Sequence, residues 1–99
     1  MIPNSEFKIP NHKIMYLHLG KGTVVPKKDV IGIFDLDITS QSHLTRRFLR
    51  QAEQAGRVVN AAEDIPKSFV VCCESGTNTV ILSQMAAATL LKRSESDTV

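Results

Sequence analysis

The chain of 99 residues carries 12 basic and 10 acidic side chains, 42% apolar residues and two cysteines. A chain of this size forms one small domain that buries only about 60–65% of its unfolded surface, and association between copies commonly reinforces so modest a core. The net charge of +2 excludes a strongly basic nucleic-acid coat, no apolar run approaches the roughly 18 residues of a membrane span, and four Phe, one Tyr and no Trp leave little for a base-stacking surface.

Residues Met1–Ile14 hold two prolines, two asparagines and no usable periodicity, and read as a flexible leader or tag ahead of a domain over 15–93. Tyr16–Leu19 predicts a short strand, Gly20-Lys21-Gly22 a turn, and Thr23–Val25 a second strand that Pro26 ends. Val30–Phe34 is β-branched and predicts a buried strand, with Asp35–Thr39 leaving it as a loop. Ser40 to Ala55 predicts a medium helix, capped by Ser40 or Ser42, with Leu44, Phe48, Leu49, Ala52 and Ala55 near helical spacing and Gly56 as its stop. Val58–Val59 suits a short strand and Ala61–Pro66 a loop. Ser68–Cys73 and Thr79–Ser83 predict a hairpin around Ser75–Asn78. Met85–Lys92 predicts a short helix ending on the basic pair Lys92-Arg93, with 94–99 as a disordered polar tail. The class is α+β: a small antiparallel sheet with one medium and one short C-terminal helix.

Catalytic patterns are weak. Asp35 and Asp37 have the spacing of same-face strand neighbours, yet sit where a strand runs into a loop, where solvated acids are ordinary. Adjacent Cys72 and Cys73 point to opposite faces of a strand, so they pair poorly as a disulfide and supply only two of a zinc site's four ligands. An apolar strand also raises a thiol's pKa, against use as a nucleophile. Gly20-Lys21-Gly22 opens a strand, whereas a phosphate loop opens a helix. No catalytic residue, cofactor or metal site is therefore expected, and reduced cysteines suit the cytoplasm. The basic residues remain: seven against four acids between Lys21 and Arg57. Lysine and arginine neutralise phosphates without a special neighbour, so Lys27-Lys28, Lys67 and the Arg46/Arg47/Arg50 group are candidates for a phosphate-facing edge, or else a solvated surface. Helix-turn-helix spacing is absent.

Several short segments carry a resemblance over residues 15–93: Tyr16-Leu17-His18-Leu19-Gly20; Val24-Val25 with Lys28-Asp29 and Ile31-Gly32-Ile33-Phe34-Asp35; Pro66-Lys67-Ser68 before Val70-Val71; and Leu82-Ser83 before the last helix. In these the sequence resembles the bacterial extracellular matrix regulatory proteins RemA and RemB, the RemB branch more closely. The resemblance implies a LytTR-like fold and a cytoplasmic, nucleoid-associated regulator of biofilm matrix genes. It also implies double-stranded DNA as partner, a homo-oligomeric ring, and neither catalysis nor cofactor. Lys28 falls where RemB-like sequences place a basic residue, whereas Asp29 stands where RemA has arginine. RemA's arginine pair in the loop before Val70 is replaced here by Ile65-Pro66-Lys67, leaving Lys67 as its candidate successor. Arg46-Arg47 matches a basic pair in the family's first helix. The implied nucleic-acid contacts are thus Lys27, Lys28 and Lys67, with Arg46, Arg47 and Arg57 as a second tier. Ring closure through edges such as Tyr16–Leu19 and Thr79–Ser83 would repeat one weak basic patch. The alternative is an oligomeric protein-interaction module that does not touch DNA.

Overall fold

The computed structural model describes residues 16–39 and 42–95; the expected leader and the end of the expected tail lie outside them. Strands β1 (Tyr16–Gly20) and β2 (Thr23–Pro26) form a hairpin. A single 3-10 turn, Lys27–Asp29, leads into β3 (Val30–Asp35). Helix α1 (Leu36–Thr39) and helix α2 (His43–Gln54) follow, then β4 (Val58–Asn60), β5 (Ser68–Glu74), β6 (Thr77–Ser83) and α3 (Ala87–Ser94). The larger sheet has the order β3-β5-β6-β4. The α+β class holds.

Three differences from the sequence reading have physical causes. The segment expected as a loop after Phe34 is a helical turn, joined to the sheet by the Leu36 amide donating to the Lys67 carbonyl at 3.0 Å. The sheet is mixed rather than wholly antiparallel: α1 and α2 carry the chain back across it, so β4 runs in the direction of β3 and pairs parallel with β6. The strand over Thr79–Ser83 extends back to Thr77 and lies between β5 and β4, so it is not an edge. The outer strands are β3 and β4.

Both hairpins turn on two residues of positive φ, Lys21 (48°) with Gly22 (74°) and Ser75 (54°) with Gly76 (81°). This is the backbone that matches strand twist. Of the two candidate caps for α2, Ser42 accepts the Thr45 amide at 3.4 Å.

Strand alternation gives the larger sheet two apolar faces. On one, Val70, Cys72 and Ile81 pack with Leu17 and Leu19 of the hairpin, Ala61, and Leu90 of α3. On the other, Phe69, Val71 and Val80 pack with Ala52 of α2, flanked by Phe48 and Leu49. Two fully buried serines, register partners on β5 and β6, tie the first face together. The Ser68 hydroxyl donates to the Met85 carbonyl at 2.7 Å. The Ser83 hydroxyl donates to the Leu19 carbonyl at 2.8 Å and accepts the Met85 amide at 3.1 Å.

Gly20 lies at a bulge in β1 with φ 122°, and a Cβ there would stand 2.9 Å from the Ala61 carbonyl oxygen. Gly20→Ala combines a conformation foreign to L-residues with a backbone clash. It should cost about 2–3 kcal/mol, read as a lowered denaturation midpoint with an unchanged slope.

Candidate nucleic-acid interface

Lys27 and Lys28 form the turn that joins the hairpin to β3, bounded by extended Pro26 (φ −65°) and Val30. Pro26 ends β2 as Tyr16's partner, and Val30 pairs with Cys72, so both flanks of the turn are held. Lys28 is exposed and Lys27 half-buried. Strand register then brings a third cation to this end of the sheet. Cys73 pairs with Asn78, and the Arg57 guanidinium donates to the Asn78 carbonyl at 2.9 Å. Arg57 itself is fixed by its own carbonyl, which accepts the Val80 amide at 2.9 Å. Lys27, Lys28 and Arg57 therefore share one end of the sheet, the end bearing the Ser75-Gly76 tip. Asp29 and Glu74 lie there too, so the local excess of positive charge is small.

Lys67 is elsewhere. It is exposed just before β5, where Ser68 pairs with Asp35, so the length of β3 separates it from Lys28, roughly 15 Å at about 3.3 Å per residue. It shares a shallow cavity with Asp37, Asp64 and Gln84. Arg46, Arg47 and Arg50 form a third group, all exposed on α2. Arg46 and Arg50 line a groove with Glu53, and Arg47 occupies the outer side of the helix. The structure sets Lys27, Lys28 and Arg57 at the same end of the sheet, Arg57 across it at the start of β4, and leaves Lys67 at the opposite end and Arg46, Arg47 and Arg50 on α2.

No catalytic grouping emerges among the described residues. Asp35 ends a strand and Asp37 belongs to a helical turn, so they are not same-face strand neighbours. Cys72 and Cys73 are both free, and Cys72 belongs to the core. Burial, and secondarily the charge of Asp29, push the Cys72 thiol up from its ordinary value, away from a reactive thiolate. No group of three or more His, Cys, Asp or Glu residues could hold a metal ion, and no helix is long and apolar enough to cross a membrane, among the described residues.

One surface escaped the sequence reading. Ile31, Phe34 and Leu44, expected in the core, are 62%, 37% and 70% exposed. They line a groove of about 340 Å³ between β3 and α2, floored by Phe69 and Val71. Phe34 stacks on Phe69 with ring centroids 5.0 Å apart, and its ring lies over Gly32, where a Cβ would stand 2.7 Å away. The available signal was apolar residues on both faces of β3.

The RemA-like family, described as Extracellular matrix regulatory protein A-like, matches residues 16–93, from the first residue of β1 to α3. The chain is also similar to Extracellular matrix regulatory protein B of Bacillus subtilis (strain 168). The identity is 35% over 81 residues, covering 82% of this chain and 91% of that protein. The match takes in the Lys27–Asp29 turn, all six strands and both faces of the sheet. The chain is a member of the RemA-like family of extracellular matrix regulatory proteins.

Proposed function

We propose that this protein is a DNA-binding transcriptional regulator of extracellular matrix genes. It acts as a homo-oligomer, with a ring as the assembly, that contacts phosphates through repeated basic patches. The carrying observation is that Lys27, Lys28 and Arg57 stand at the same end of the sheet in a chain of a regulatory family. Each patch is weak alone, since acids stand beside it. Repetition around an oligomer raises effective concentration and multiplies affinity without any strong single site. Lys67 and Arg46-Arg47 are second contact surfaces reached by DNA that wraps or crosses the assembly. The reading needs neither a cofactor nor catalysis.

The expected result is a light-scattering mass of several chains and a retarded duplex in a low-salt mobility-shift assay, with retardation lost as salt is raised. An oligomer that leaves DNA unretarded at micromolar concentration would instead support a protein-interaction module, the reading favoured by the net charge of only +2.

A further inference from the structure

Helix α2 covers only the middle of the larger sheet. Four strands about 4.8 Å apart make a sheet about 19 Å wide, whereas one helix is about 10–12 Å across. The helix comes close to the sheet at a small residue: Ala52 is fully buried against Phe69, Val71 and Val80. A groove is therefore left on each side of it. The groove toward β3 has no ionisable side chain in its lining. The groove toward β4, of about 360 Å³, is different. Its floor is aliphatic, built from Leu36, Leu49, Val58 and Leu82, each of them half-buried. Its helix-side wall carries Arg46 and Arg50, one turn apart on α2, with Glu53 one turn further on.

Two guanidiniums against one carboxylate give this lining an excess of positive charge. The Arg50 side chain is exposed and has no hydrogen-bond or ion-pair partner among the described residues. Its planar fork of N–H donors matches a carboxylate. An apolar floor with a few placed polar groups, in a volume of this size, is how small-molecule sites are ordinarily built. From Arg46 to Glu53 the wall runs roughly 10 Å along the helix, and Glu53 at its far end disfavours a second negative charge. We propose that this groove binds a monocarboxylate with an unbranched alkyl body. The carboxylate accepts from Arg50, with Arg46 beside it, and the alkyl chain lies over Leu49, Val58 and Leu82. No aromatic ring lines the floor, so an aliphatic chain fits it better than a ligand that stacks. The assignment goes beyond the DNA-binding reading and does not depend on it. Val58 directly follows Arg57, so an occupant rests against the strand that begins beside that cation.

Three probes with one tail and different heads test the site on the full chain: octanoate, octanol and octyltrimethylammonium, titrated while methyl signals are followed by NMR. Octanoate should move the methyls of Leu49, Val58 and Leu82 and leave those of Ile31 and Leu44, which line the uncharged groove, in place. It should bind at least about tenfold more tightly than the alcohol or the cation. Arg50→Ala should weaken octanoate about tenfold without changing octanol, Arg50→Lys should recover part of the loss, and Glu53→Gln should tighten octanoate. Residues 50 and 53 are both exposed, and unmoved core methyls check that the variants fold. Equal affinity for the three probes, shifts centred on Ile31 and Leu44, or octanoate binding indifferent to Arg50→Ala would each overturn the assignment.

Discussion

Leu19→Ala should lower the unfolding free energy by about 3 kcal/mol, a large share of the roughly 5–15 kcal/mol expected of a chain this size. Leu19 is 0% exposed and packs among Leu17, Ala61, Val70, Ile81 and Leu90, where strand, loop and helix meet. In the hairpin only Leu17, 1% exposed, matches it among the described residues. A two-stranded hairpin is marginal in water, and this one shows only alternate residues, Leu17 and Leu19, to the core while Tyr16 and His18 face out. Removing the Leu19 side chain thus leaves a cavity and loosens the arm that leads into Lys27 and Lys28. The check is a denaturant titration, with the midpoint falling and the slope unchanged. Amide exchange should quicken in β1 and β2 before it does in β5. A loss below about 1 kcal/mol would mean that the hairpin contributes little to the fold.

Joint replacement of Lys27, Lys28 and Arg57 by Ala should weaken DNA binding at least tenfold at low salt. It should also reduce the slope of log affinity against log salt by about one for each phosphate no longer neutralised. Strand register sets all three cations at the Ser75-Gly76 end of the sheet, so in the proposed complex they would face DNA from the same side. Lys67→Ala is the matched comparison: it removes one charge at the far end of the sheet, beside Asp37 and Asp64. The expected outcome is a steep loss for the triple variant and a change of at most one in slope for Lys67→Ala. If Lys67→Ala flattens the salt dependence while the triple variant leaves it intact, DNA approaches the opposite end.

Much of the fold was legible because it is local. Ser42, the spacing of Phe48, Leu49 and Ala52, and Gly56 mark α2, and the β-branched runs on either side of Ser75-Gly76 mark β5 and β6. What was not legible depends on pairing between distant strands. The parallel placement of β4 follows from the helical crossover, and the exposure of Ile31, Phe34 and Leu44 from β3 being outermost. The candidate site divides the same way. Lys27-Lys28 beside Pro26 was readable from the chain, but the company of Arg57 and the distance of Lys67 are set by register along β5 and β6. Family resemblance supplied the function class that a net charge of +2 does not announce.

The buried Ser83 hydroxyl bonds to the Leu19 carbonyl across 64 positions of sequence. Contacts that span so much chain are made late, because loop closure must be met before they contribute. Folding is therefore expected to run from the β5–β6 hairpin outward, with β1 and β2 docking last and taking the Lys27–Asp29 turn with them. The Lys27-Lys28 corner is then the last part to be organised and the first to come loose.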